Sequence, residues 1–337
     1  MKNYLRGILK KNEFYLFMIM VLMVIVMSAI NPNFGTLENG FDILRGTTFI
    51  GICSMGFLVV LITGGTDISF TATATVAQYI MALLMVSNPN IPVVFVILVP
   101  MVIGAVLGSV NALLINRLKV PVIIITIAML NTYYGAIQFF SEGEWLYNFP
   151  EWFADFPRIL LITFKNEDGV AYGLTSLTAI WILVALVTSV LLRFTMLGRK
   201  IYALGGNQTA AGREGIHVNR IRIFAHSFLG LIAGIGAIVH AMVTQTAAPN
   251  AIVGQEFNAV AAVVLGGASI AGGAGSVLGT LLGVLLIATL KNGLTVMGVP
   301  AYWHQVFIGL TLVISISVTA IREKMAKKNA GGINVES

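Results

Sequence analysis

Two stretches of this 337-residue chain carry residue types that could do chemistry, and each is built around paired glycines. The first is Thr63-Gly64-Gly65-Thr66-Asp67-Ile68-Ser69, where a carboxylate follows a glycine pair between two long apolar runs. Near a bilayer centre an aspartate costs roughly 2.5–3.5 kcal/mol on insertion scales, so an acid at that depth marks a functional site. At a wet end of the same runs Asp67 is instead a helix cap, and both readings stand. A related pattern recurs at Leu265-Gly266-Gly267-Ala268-Ser269, with Gly272, Gly273 and Gly275 behind it, which suggests a short internal duplication. The second stretch is Gly205-Gly206-Asn207, followed by Ala210-Ala211 and Gly215-Ile216. Asn207 can cap a short helix that Gly215 ends. Ala210 and Ala211 then leave one face bare beside Arg213 and Arg220. Such a face suits docking into a groove on a soluble protein; the alternative is an ordinary charged connector.

Other chemistry is excluded. His226 and His240 lie fourteen residues apart on one predicted helix, about 21 Å at the standard rise, and cannot share a metal. The lone cysteine, Cys53, permits no disulfide framework and no cysteine-rich metal site. The pattern assembles no nucleophile, base or metal constellation. Gly-x-x-x-x-Gly-Lys-Ser/Thr is missing, so the chain binds no nucleotide by a P-loop of its own. We expect a non-catalytic chain with no metal and no cofactor.

The elements that must position these groups follow from composition. The chain is 57% hydrophobic and 10% charged, against roughly 25% charged in a soluble domain. Hydrocarbon is crossed by stretches of about 20 apolar residues. Ten such spans are predicted, at 14–30, 43–63, 71–86, 91–115, 120–140, 174–192, 223–244, 257–270, 277–290 and 302–321. The expected fold is all-α, a single polytopic transmembrane domain over 1–337. The first span is preceded by basic residues like a signal peptide, but Asn31-Pro32-Asn33 lacks a small-x-small cleavage pattern, and we read it as uncleaved. The eighth and ninth spans are short and glycine-laden. Irregular backbone at membrane depth survives only against protein or a water-filled cavity, and broken helices mark solute paths in transporters. The candidate translocation path is therefore Gly64, Gly65, Asp67, Ser69, Asn111, Asn131, Gly266, Gly267 and Ser269. Polar residues within spans (Asn111, Asn131, Gln138, His226, His240, Gln245) also serve as hydrogen-bonding groups between helices.

Charge orients the spans. Lys2, Arg6, Lys10, Lys11, then Arg117 and Lys119, then Arg193, Arg199, Lys200, Arg213, Arg220 and Arg222, and finally Arg322, Lys324, Lys327 and Lys328 hold 16 of the 20 basic residues. An even number of spans separates each group from the next, so all share one face, the cytoplasmic one by the positive-inside rule. Both termini (1–12 and 322–337) and the segment 193–222 are then cytoplasmic, and the acidic loop 142–173 is extracytoplasmic. The net charge of +6 is thus an orientation signal, and nucleic acid is not an expected partner. The outer loop's aromatics, Trp145, Tyr147, Phe149, Trp152, Phe153 and Phe156, form either an interfacial belt or a docking surface for an external partner. Lysine, arginine, aspartate and glutamate are almost absent from the spans, which disfavours a stand-alone secondary carrier with carboxylate relays. A membrane-embedded enzyme is disfavoured by the missing catalytic constellation.

At these residues the chain resembles the permeases of bacterial ribose-type ABC sugar importers. The resemblance rests on Gly64-Gly65-Thr66-Asp67-Ile68-Ser69; on Gly198-Arg199 through Gly205-Gly206-Asn207, Ala210-Ala211 and Gly215-Ile216; on Ala261-Ala262-Val263-Val264-Leu265-Gly266-Gly267-Ala268-Ser269 with Gly272, Gly273 and Gly275; and on Asn292-Gly293-Leu294 with Gly298-Val299. It implies a type II importer fold in the bacterial inner membrane, with membrane lipid around it. It implies a cytoplasmic ABC ATPase that binds ATP and Mg, an extracytoplasmic solute-binding protein, and a second permease subunit, identical or not. Gly205–Ile216 becomes a coupling helix seated on the ATPase, and the solute a monosaccharide, a furanose-like signal or a nucleoside. The family usually continues the first motif with valine and glycine, whereas Phe70-Thr71 follow here. That departure is consistent with a non-identical partner permease.

Overall fold

The computed structural model describes residues 12–311 together with 313 and 317. The tails, with their eight basic residues, and most of the expected span 302–321 lie outside the described residues. Membrane-length apolar helices dominate: α1 (Asn12–Ile30), α4 (Phe70–Ser87), α5 (Val93–Leu118), α6 (Val122–Ser141), α8 (Ser176–Phe194), α11 (Val218–Thr244) and α13 (Val277–Val296). Among the described residues seven helices are long and apolar enough to cross a membrane, and eight if a bent pair counts as one span. The fold is all-α and polytopic, as its apolar runs require. The count of ten is not confirmed among the described residues.

The bent pair is α2 (Leu37–Gly46) with α3 (Thr48–Ile62), which meet at 52°. The sequence reads 43–63 as one span. It breaks because Gly46 and Thr47 follow each other and Thr48 Oγ1 donates to Arg45 O at 2.8 Å, an inserted side-chain bond of the kind that bends helices. The other departure is at 257–270, where α12 (Glu256–Leu265) has ten residues. That is about 15 Å of helix, half of what a bilayer core requires. The preceding chain is irregular but dry, with Ala247, Ala248 and Ile252 buried. Ala247 pairs with Leu146, beyond the end of α6, while Glu256 meets Thr71 at the start of α4. The stretch 246–265 therefore completes a crossing as loop plus short helix, sheltered by protein. Residues 301–311 are also helical.

Contacts at helix ends define two faces. Ser276 Oγ donates to Glu13 at 3.0 Å, joining the two helix starts, and Asn31 Nδ2 donates to Val296 O at 3.2 Å, joining the two helix ends, so α1 and α13 run parallel. The axis of the bundle is the pair α5 and α11. A Cβ on Gly104 would strike the Gly230 carbonyl, and one on Gly230 would strike the Gly104 carbonyl. Such small-residue contact lets two backbones touch where lipid offers no hydrophobic drive. One face carries Arg117, Lys119 and the helical connection α9 (Met196–Gly206) and α10 (Gln208–Arg213).

The opposite face carries 142–173, which is not a plain loop. It folds as a short helix α7 (Glu151–Asp155) and an antiparallel hairpin, β1 (Leu160–Lys165) with β2 (Ala171–Thr175). Alternating Leu160, Ile162 and Phe164 give the strand pattern, and Asn166 with Gly169 turns it. Phe164 stacks on both Phe41 of α2 and Tyr172, and Tyr172 lies tilted against Phe41, which anchors the hairpin. The loop's aromatics divide: Phe153 is buried against Phe149 and Trp152, while Trp145 and Tyr147 are exposed.

Candidate functional site: a glycine junction over a buried Asp67–His226 pair

The two glycine stretches meet in space. The α3 end and the α12 end carry the same cap. Gly64 N donates to Leu61 O and Gly65 N to Val60 O, as Gly267 N donates to Val264 O and Ala268 N to Val263 O. Gly64 and Gly267 hold matching positive φ values of 83° and 88°, the left-handed helix terminus glycine favours. The recurring glycine pattern is thus a recurring helix cap, in which Gly64 occupies the position of Gly267.

Gly205 closes the junction. A Cβ there would overlap the Ile62 carbonyl, and the loop 266–276 folds over it, with Gly273 N donating to Ile62 O at 2.8 Å. Tyr202 OH donates to Gly275 O at 2.8 Å from α9, and burial pushes its pKa above the ordinary tyrosine value. Gly64, Gly65, Gly266, Gly267 and Ser269, all among the candidate translocation-path residues, sit at or just beyond helix ends toward the basic face. Ser269 accepts from Gly272 N and donates its own N–H to Ala274 O, which makes it a turn residue.

The α10 segment follows its sequence closely, with one correction. Asn207 Oδ1 accepts from Ala210 N at 2.9 Å, capping the helix. Gly215 has φ 79° and Ile216 N donates to Ala211 O, the expected glycine-terminated end. Ala210 is exposed, as are Gly206 and Gly212, but Ala211 is buried. The two alanines do not form one bare face, because adjacent residues on a helix point about 100° apart.

Beneath the junction lies a cavity of about 250 Å³ whose lining includes Gly65, Gly205, Gln208, Arg222 and His226. Through His226 it borders a buried polar chain. Asp67 Oδ1 accepts from Ser69 N at 2.9 Å and from Ser69 Oγ at 2.6 Å, which holds the turn before α4. Its Oδ2 lies 2.6 Å from His226 Nδ1 on α11, so the ring proton sits on Nδ1. Asn111 Nδ2 on α5 donates to Ser69 Oγ at 2.7 Å, and Tyr133 OH on α6 donates to Asn111 Oδ1 at 2.9 Å. Asp67 is buried rather than placed at a wet end, and Ser69, not Asp67, stands at the cap position of α4; the carboxylate holds the turn before it. Asn111 joins the network. Asn131 does not; it is exposed and bonds within its own helix, to Ile127 O. Two residues away on α6, it points to the far side from Tyr133. His226 and Tyr133 are absent from the sequence-derived site, His226 having stood there as one of several inter-helix polar groups. His240 goes elsewhere, accepting from Gln78 Nε2 at 2.9 Å.

Acids are also less absent from the interior than the pattern indicates. Glu256 is buried, accepting from Thr71 Oγ1 at 2.9 Å and Gly254 N at 2.8 Å. Thr71, which stands where the resembled permeases usually have glycine, is thus the partner of a carboxylate at the broken crossing.

The family described as branched-chain amino acid transport system / permease component matches residues 39–316. The ribose import permease protein RbsC of Escherichia coli (strain K12) is 32% identical over 306 residues, 89% of this chain and 91% of that one. The chain belongs to the ribose-type ABC importer permease family. This permease is also similar to the galactose/methyl galactoside import permease protein MglC of Haemophilus influenzae (strain ATCC 51907 / DSM 11121 / KW20 / Rd), 30% identical over 97% of the permease and 98% of the relative. The autoinducer 2 import system permease protein LsrC of Enterobacter sp. (strain 638) is 28% identical over 91% and 86%. No solved structure matches the chain. The permease is a multi-pass inner-membrane protein, and its relatives are named as membrane subunits of importers. Its buried carboxylates and imidazoles therefore belong to a transport subunit, where they bridge segments far apart in the chain.

Proposed function

We propose that this chain forms half of the membrane pore of an ATP-driven importer for a monosaccharide. One observation carries the reading: Gly205 of the α9–α10 connection lies in backbone contact with the Ile62 carbonyl at the end of α3, under the loop that follows α12. A push on α10 from outside the membrane reaches two span ends without an intervening flexible segment. The basic face is cytoplasmic by the positive-inside rule, and so are both termini. A cytoplasmic ABC ATPase holds ATP and Mg and seats α10; the exposed Ala210, Gly212 and Arg213 are its docking surface. An extracytoplasmic solute-binding protein docks on the acidic face, over the hairpin and the exposed Trp145 and Tyr147. A second permease, identical or not, completes the pore.

The monosaccharide assignment rests on relatives named for ribose and galactose. The test is reconstitution in proteoliposomes with the ATPase and loaded binding protein. ATP-dependent accumulation of labelled ribose or galactose is expected. Accumulation without any ATPase would replace this reading with a secondary carrier.

A further inference from the structure

The junction does not account for a second polar cavity, of about 310 Å³, on the acidic-face half of the protomer. It lies where α2 bends into α3, against the ends of α11 and α13 and the start of α12. Asp42 of α2 and Lys291 of α13 both line it, as do the amides of Asn258 and Asn292. The rings of Phe49 and His240 form one wall, with centroids 5.0 Å apart at 69°. Neither charge lies within the sequence-derived spans, which end one residue short of each. The bend at Thr47 and the full length of α13 bring them to one site.

Two features point to an occupant. The volume is at the lower end of small-molecule sites, roughly 300–1,000 Å³, and suits one sugar ring. Asn258 is buried, and its Oδ1 has no hydrogen-bond partner among the described residues; Asn292 Oδ1 is in the same condition. Buried amide oxygens are normally satisfied, and an unmet one costs about 1–3 kcal/mol. Both residues line the cavity, and an amide turned toward it would accept from a hydroxyl of the occupant. The pair Asp42 and Lys291 leaves the site without net charge while supplying a strong acceptor and a strong donor. The aromatic wall meets a C–H face, and the amides and charged groups meet hydroxyls. That is the complement of an uncharged polyol.

We propose that this cavity is a transient binding station for one neutral monosaccharide, entered from the acidic face before the solute passes the junction. The proposal rests on the importer reading above and locates the solute within a single protomer.

The test uses the complete reconstituted complex with ribose and galactose as probes and leucine as a contrast. Asn258→Leu and, separately, Asn292→Leu fill the cavity and remove an acceptor from two different helices. Each is expected to cut sugar uptake at least tenfold while hydrolysis stimulated by the loaded binding protein continues. Asn258→Asp keeps an acceptor and is expected to retain most uptake. Wild-type uptake in both leucine variants would overturn the station. So would joint loss of uptake and stimulated hydrolysis in both, which would make the two amides structural. Preferential uptake of leucine by the unaltered complex would overturn its assignment to a sugar. An unaltered complex that needs no ATPase would sink the importer reading instead, and the leucine variants would still decide whether the cavity lies on the path.

Discussion

His226 Nδ1 lies 2.6 Å from Asp67 Oδ2, joining residues 159 apart in sequence, and both side chains are buried. The pair ties the turn before α4 to α11, the helix that packs along α5. Because Asp67 also fixes Ser69 and Ser69 accepts from Asn111, the contact spans α4, α5 and α11. Removing one partner of a buried hydrogen-bonded pair leaves the other unsatisfied, typically at a cost of about 1–3 kcal/mol and more when the orphaned group is charged.

Asp67→Ala and His226→Leu are therefore each expected to lower the thermal stability of the detergent-solubilised permease. The double variant should lose less than the sum, with a coupling of about 0.5–3 kcal/mol. Strict additivity in the cycle would mean that the two groups do not act as a pair. Asp67→Asn, which keeps an acceptor for the ring N–H, should insert normally and be the milder change.

Ala210 and Ala211 separate docking from folding. Ala210→Glu alters the exposed surface of α10, so membrane levels should be normal while the ATPase no longer co-purifies or is no longer stimulated. A loss of 1.4 kcal/mol at that interface already weakens it tenfold. Ala211→Glu places an unpaired charge at a buried position and should lower the amount of folded permease itself. Normal coupling in Ala210→Glu would leave α10 a mere connector.

The junction has its own sensitivity. Gly205→Ala forces a methyl onto the Ile62 carbonyl, and overpacking of this kind costs about 1–3 kcal/mol. Tyr202→Phe removes only the bond to Gly275 O, worth about 1 kcal/mol. Stimulated ATP hydrolysis without uptake is expected for Gly205→Ala, with a small stability loss for Tyr202→Phe. Wild-type uptake and stability in the alanine variant would show that the close approach is dispensable.

Orientation is open to thiol labelling. Cys53 is fully buried and should stay silent, so cysteines can be added to the unaltered chain. Asp168→Cys, in the hairpin turn, should react with an impermeant maleimide on intact cells, and Thr209→Cys only after lysis. Reaction of both from outside would reverse or break the expected topology.

The class of protein, the position of nearly every apolar helix and the charge asymmetry were legible in the sequence, because hydrocarbon constrains each span separately. A segment must be long enough and apolar enough whatever its neighbours do. Local devices were legible for the same reason: the Asn207 cap and the Gly215 stop depend on residues within one turn. Tertiary structure alone decided the rest. That Asp67 meets His226 depends on how far α11 slides along α5, which the Gly104–Gly230 contact sets and no local pattern encodes. That Ala211 faces inward while Ala210 faces out depends on which side of α10 the bundle occupies. That Asp42 and Lys291 share a cavity depends on a 52° bend between α2 and α3. Each is a relation between segments far apart in the chain, fixed by packing rather than by the composition of either segment.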